Sequence, residues 1–181
     1  RSQFVDPINP SVGMIIDGIN YSGLGGAAML FDVDQVEIYR GPQGTRFGAD
    51  ALAGMIHMES AAPTLEPSLK VKVGMGTYNS WDAGVAAATA FGEKSSVRAS
   101  FYQNKSDGYV KNAYLGRDDT QGIDEQVARV KLHSQLSEHW RTEFVAHVMD
   151  IDNGYDAFTL NNSRTSVADQ PGKDMQDSNA F

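Results

Sequence analysis

Residues able to do chemistry are dispersed in this sequence, and one segment gathers more of them than any other. It runs Val36-Glu37-Ile38-Tyr39-Arg40-Gly41-Pro42-Gln43-Gly44-Thr45-Arg46-Phe47-Gly48 and continues through Ala49 to Met58. A cation beside a glycine-punctuated loop invites comparison with a phosphate cradle. That reading fails, because no Lys-Ser/Thr follows at Walker spacing and no G-x-G-x-x-G is present in the segment. The histidines His57, His133, His139 and His147 show no metal-ligand spacing. The run Asp150-Ile151-Asp152-Asn153-Gly154-Tyr155-Asp156 offers hard oxygen ligands, but its glycine misses the EF-hand register. A solvated acidic loop is the reading adopted there. No Ser-His-Asp set or paired carboxylates can be assembled, so no catalytic residue, cofactor or metal site is assigned and an enzyme is not expected.

The elements around the segment bear on the fold. A short strand ending at Arg40, a glycine-rich loop, a helical turn over Ala49 to Leu52 and a second strand are expected. Gly41, Gly44 and Gly48 supply backbone freedom, and Pro42 stiffens the turn. Ala61-Ala62-Pro63-Thr64-Leu65-Glu66-Pro67 then reads as an extended linker, since each proline fixes its own φ and biases its predecessor away from helix. Residues 1–67 carry 3 basic and 8 acidic side chains, against 12 and 15 in residues 68–181. The boundary is set there: 1–67 one unit, 68–181 another.

The second unit alternates with period two. Leu69, Val71, Val73 and Met75 oppose Lys70 and Lys72. Trp81, Ala83, Val85, Ala87 and Phe91 oppose Asp82, Gly84 and alanines. Val97, Ala99 and Phe101 oppose Arg98, Ser100 and Tyr102. Ala128, Val130 and Leu132 oppose Arg129, Lys131 and His133, and Trp140, Phe144, Ala146 and Val148 oppose Arg141, Glu143 and His147. Five segments of this kind predict antiparallel strands with one apolar and one polar face. Their length of about ten residues suits a membrane-crossing strand better than a soluble one. Apart from Thr77 to Ser80, tight connections (residues 91–95 and 136–140) alternate with long polar ones (residues 105–126 and from Asp150 on), as in an outer-membrane barrel. Trp81, Phe91 and Trp140, at strand ends, occupy the positions of interfacial girdles. A soluble sandwich is the competing fold. Residues 168–180 read as loop.

The length of 181 residues would fit one domain, but five strands cannot close a barrel. With Arg1 lacking a leader and no closing strand, the chain reads as an internal piece. The net charge of −8 argues against nucleic acid as a partner. Zero cysteines exclude a disulfide framework and a thiol nucleophile.

The segment resembles the plug domain of TonB-dependent outer-membrane receptors. Val36, Glu37, Arg40, Gly41 and Pro42, then Gly44, Thr45, Phe47 and Gly48, then Gly54, Ile56 and Met58 match its pattern, with His57 where Asn is common. Ile15-Ile16-Asp17-Gly18-Ile19 and Asp32-Val33-Asp34-Gln35 resemble its upstream strand and lead-in. The resemblance implies a mainly β fold: a partial transmembrane antiparallel β-barrel of about five strands, preceded by part of an α+β plug. It implies a Gram-negative outer membrane, with its lipid, as the location. The implied role is high-affinity uptake of a scarce ligand, such as a ferric siderophore, cobalamin or an oligosaccharide. The implied partner is the TonB energy-transducing complex, whose contact segment would precede Arg1. The alternative is a passive porin or structural barrel, which lacks a separate plug. Arg40, Gly41 and Pro42 are the implied latch, with Arg40 pairing to barrel carboxylates. Tyr21, Ser22, Gly23, Leu24 and Met29 match an outward plug loop that touches ligand in such receptors.

Overall fold

The structure, a computed structural model, describes residues 11–48, 51–155, 163–170 and 172–181. The first unit holds β1 (Val12–Ile16), β2 (Ile19–Asn20), a 3-10 turn (Ala27–Leu30), β3 (Val33–Arg40), α1 (Gly44–Phe47) and β4 (Gly54–Ser60). Its sheet has the order β2-β1-β4-β3, with β1 and β4 parallel and the other pairs antiparallel. The β1–β2 hairpin turns on Asp17 and Gly18, both at positive φ (51° and 83°), the primed geometry that Asp-Gly favours. The helical turn falls at Gly44–Phe47, not at Ala49 to Leu52. Residues 49 and 50 lie outside the described residues, and Ala51 and Leu52 are not helical. Gly41 and Gly48 do take positive φ (87° and 90°), whereas Gly44 simply opens the helix.

The second unit follows with β5 (Ser68–Met75), β6 (Trp81–Gly92), β7 (Ser95–Ser106), β8 (Val110–Asn112), β9 (Arg117–Thr120), β10 (Ile123–Gln135), β11 (Arg141–Tyr155), β12 (Thr165–Ser166) and β13 (Gly172–Ala180). Six of these form one open antiparallel wall, β13-β11-β10-β7-β6-β5, and a small sheet β12-β8-β9 sits among the long connections. The alternation is inverted relative to a soluble protein. Leu69, Val71, Val73 and Met75 are 65–89% exposed on the outer face, while Arg129, Lys131 and His147 are buried on the inner one. Trp81 and Phe91 share the outer face of β6 ten residues apart. At ~3.3 Å per residue and a tilt of ~40°, they stand about 25 Å apart along a barrel axis, the height of an outer-membrane apolar band. Among the described residues no helix is long and apolar enough to cross a membrane.

Two readings need correction. Residues 168–180 are not all loop, because Gly172–Ala180 pairs with β11 as a sixth strand of the wall. The acidic run from Asp150 is likewise strand as far as Tyr155, with Asp150 and Asp152 on the outer face, and Asp124 and Glu125 belong to β10. The cause is shared: past the apolar band neither face of a barrel strand must be apolar, so the periodic signal vanishes while the hydrogen-bond ladder continues. Asp156 and Phe158 lie outside the described residues.

The core lies between the two units. Ile16, Tyr21, Ala28, Met29, Phe31 and Met58 of the first unit pack on Ala86, Tyr102, Val127, Met149 and Ile151 of the wall. The first unit is therefore seated on the wall's inner face.

Candidate functional site

The seam between these units concentrates the buried charge. Asp17, at its turn, points its carboxylate at the exit of β4 and at the wall together. Ser60 donates its backbone N–H (2.9 Å) and its hydroxyl (2.7 Å) to it. Lys131 Nζ donates at 2.6 Å, and His147 Nε2 lies at 3.0 Å. The side chains of Asp17 and His147 are 1% and 2% exposed. Burial by itself would push the Asp17 carboxyl up, toward its protonated form. The hydrogen bonds from His147, Lys131 and Ser60 outweigh it and hold the carboxyl well below the usual carboxylate range. Lys131 also donates to the Ser60 carbonyl at 3.0 Å.

A second contact of the same sense lies one strand away. Asp32, again at positive φ (58°), receives the Arg98 fork at 2.6 and 2.7 Å, with Lys70 at 3.7 Å. Beside it Phe31 stacks on Tyr102 with ring centroids 4.9 Å apart. The wall makes room with Gly84, where a Cβ would stand 2.7 Å from Tyr102 and 2.8 Å from Phe31. Arg129 donates to the carbonyls of Phe31 (2.6 Å) and Met29, so a buried guanidinium is satisfied by backbone.

The loop between β2 and the 3-10 turn is tied down as well. Tyr21, 1% exposed, bonds its hydroxyl to His147 Nδ1 at 3.1 Å. Ser22 accepts the Met14 N–H at 3.0 Å. Gly25 N–H donates to Gln176 (2.8 Å) and Ala28 N–H to Glu125 (2.8 Å), which Asn153 also reaches at 2.9 Å. Tyr21 and Met29 are thus buried in the seam, Ser22 and Gly23 are half-buried, and Leu24 is 40% exposed. Arg40, at the end of edge strand β3, is exposed, and no carboxylate among the described residues pairs with it. Gly41 bends the chain so that its N–H reaches the Ala53 carbonyl at 3.1 Å. Pro42 follows in that bend, and neither residue touches the wall's buried charges. Nearby, Glu37 accepts a hydrogen bond from the Tyr39 hydroxyl and lies 3.5 Å from His57; the Tyr39 hydrogen bond first of all holds the Glu37 carboxyl below its ordinary value.

Strand register shows the wall's inner face to be layered. Toward the long-connection end it presents Asp82, Asn104, Glu125, Asn153, Asp174 and Gln176. Below these come Lys70, Lys72, Arg98, Arg129, Lys131 and His147. Glu125 and Gln176 of the first layer accept backbone N–H groups of the outward loop; of the bases, Lys131, His147, Arg98 and Lys70 meet Asp17 or Asp32, Arg129 meets the Phe31 and Met29 carbonyls, and Lys72 pairs with Asp82 of the wall. Alternation had put Arg98, Arg129, Lys131 and His147 on the polar face. The pairing of Arg98 with Asp32, and of Lys131 and His147 with Asp17, was not foreseen, although these four bases on one face were its signal.

A mixed sheet seated by buried polar contacts inside a wall whose outer face is apolar defines a plugged transmembrane β-barrel. Comparison with known proteins agrees. The vitamin B12 transporter BtuB of Vibrio vulnificus strain YJ016 is 24% identical over 148 residues, a match covering 78% of this chain and 24% of that protein. The pesticin receptor of Yersinia enterocolitica is 27% identical over 148 residues, covering 78% and 21%. The solved structure of the ferric yersiniabactin uptake receptor FyuA from Yersinia pestis superposes with a TM-score of 0.75 at 24% identity, covering 87% of this chain and 26% of that one. The pyoverdine outer membrane receptor FpvA of Pseudomonas aeruginosa PAO1 gives 0.65 at 19% identity, covering 83% and 22%. No protein-family model matches the chain. In sequence and fold the chain is similar to part of the plug and the adjoining barrel strands of TonB-dependent outer-membrane receptors. It spans about a quarter of the length of the relatives it matches.

Proposed function

We propose that the chain is part of a receptor that takes up a scarce ligand across the outer membrane, driven by the TonB complex. The observation that carries this is the seating of the plug: beside its apolar core, it is held to the wall by buried polar and charge-assisted contacts at Asp17, Asp32, Arg129 and Glu125. Such contacts hold in place yet exchange for water once the plug moves, which a displaceable plug requires. A passive porin has no use for this insert. The relatives' names, which include vitamin B12 and ferric yersiniabactin, support a metal-chelate ligand. Ser22, Gly23 and Leu24 are the proposed ligand contacts of the outward loop, with Tyr21 and Met29 as its anchors. Arg40 with Gly41 and Pro42 is proposed as the latch toward barrel strands beyond those described.

The test is uptake by cells carrying the full-length receptor, using ferric yersiniabactin, ferric pyoverdine and vitamin B12 as probes. Saturable uptake of one probe that disappears in cells lacking TonB supports the proposal. Non-saturable passage of all three, unaffected by TonB, overturns it.

A further inference from the structure

We propose that Asp17 and Asp32 are two carboxylate pegs that seat the plug, and that their sockets are the wall's basic layer, Lys131 with His147 for one and Arg98 with Lys70 for the other. The polarity is opposite to that of the Arg40 latch: here the plug supplies the acid and the barrel the base. The inference rests on the uptake reading only in taking the plug as a movable closure.

Three observations converge on it. Both pegs are removed from water, with side chains 1% and 2% exposed, and each touches bases from the wall. Both stand at positive φ, 51° and 58°. Aspartate and asparagine are both accommodated in that conformation, so an asparagine in either place removes the charge and leaves the backbone as it is. And both flank one point of the plug, the end of β4: Asp17 holds the Ser60 N–H and hydroxyl, while the Asp32 carbonyl accepts the Ala61 N–H at 2.9 Å. Arg98 and Lys131 are register partners on β7 and β10, so the two sockets are adjacent on the wall. Paired sockets and paired pegs fix both the position and the rotation of the plug, which a single ion pair could not do.

Asparagine is the diagnostic substitution, because it keeps the shape and tolerates the backbone while deleting the charge. The experiment measures ligand-free conductance of the full-length receptor in planar bilayers, without TonB, so its outcome is independent of ligand identity and of the uptake reading. Asp17→Asn with Asp32→Asn should raise the open fraction at least tenfold, each single change less. Arg98→Lys, which keeps charge but loses the fork, should leak less than Arg98→Met. Folding of each barrel is checked by its heat-dependent gel mobility. A double asparagine variant that is folded and as closed as the parent overturns the proposal. So does an Arg98→Lys variant that leaks as much as Arg98→Met.

Discussion

Gly84 makes the plug's fit to the wall measurable. Replacing it with alanine places a methyl carbon 2.7 Å from Cδ2 of Tyr102 and 2.8 Å from the Phe31 ring, closer than carbon atoms approach in ordinary packing. Neither ring retreats freely. Lys72 Nζ holds the Tyr102 hydroxyl at 3.0 Å, and Phe31 is fixed through its own carbonyl by Arg129 at 2.6 Å. Overpacking of this kind costs about 1–3 kcal/mol. The wall strand is locked between β5 and β7, so the plug yields instead, and the cost falls on the seated state. The equilibrium between seated and displaced plug should shift by about five- to 150-fold. Ligand-free conductance in planar bilayers reads this directly. Gly92→Ala is the control, since its new carbon meets only Ser95, at 3.7 Å. Trimming the partner with Phe31→Leu should recover much of the loss in the double variant. If Gly84→Ala and Gly92→Ala conduct alike with both barrels folded, the idea that Phe31 is docked over this glycine is wrong.

Three further outcomes follow from the geometry. The Asp17 carboxyl is held low in the seated plug and returns to about 3.9 once released. Its stabilisation is therefore complete above about pH 4 and fades as the pH falls further; the parent's leak should rise on acidification below about pH 4, and Asp17→Asn should flatten that rise in the same conductance assay. Val85 lies on the outer face near the midpoint between Trp81 and Phe91, so Val85→Arg should cost about 2–4 kcal/mol in urea titrations of receptor folded into vesicles, whereas Asp150→Arg, beyond the apolar stretch, should cost close to nothing. Asn112 is fully buried, donating to the Ala168 carbonyl (2.9 Å) and accepting the N–H groups of Tyr114 and Leu115 (3.1 and 3.0 Å). Asn112→Ala should cost about 1–3 kcal/mol of loop order, seen as faster proteolytic nicking between β7 and β10 while the wall stays intact.

The wall was legible where the membrane imposes a rule. Leu69 to Met75, Trp81 to Phe91 and Val127 to Leu132 alternate because lipid demands one apolar face, and their strands stand where alternation put them. Lys173, Asp174 and Gln176 carry no such rule, so β13 could be recognised only by its pairing with β11. The glycine-rich motif was visible as a bend at Gly41 and Gly48, but the position of its helical turn, fixed by the Gly48 N–H closing on the Gly44 carbonyl at 3.0 Å, was not. For the seam the limit was distance along the chain. Asp17 and His147 are 130 residues apart, and no local pattern brings them together. What the sequence did contain was each half separately: acids at the turns of one unit, bases on the polar face of the other.

The layering of the wall also bears on what an opened passage would prefer. While the plug is seated, its carboxylates and carbonyls occupy Lys70, Arg98, Arg129 and Lys131. Once it swings clear, those cations line the vacated lumen without counter-charges, and fixed charge on a narrow aqueous path selects the ions that cross it. This stretch of wall would then present a band of uncompensated cations, beneath a layer of acids and amides toward the long connections. A reversal of charge partway along it would be uncovered each time the plug moved.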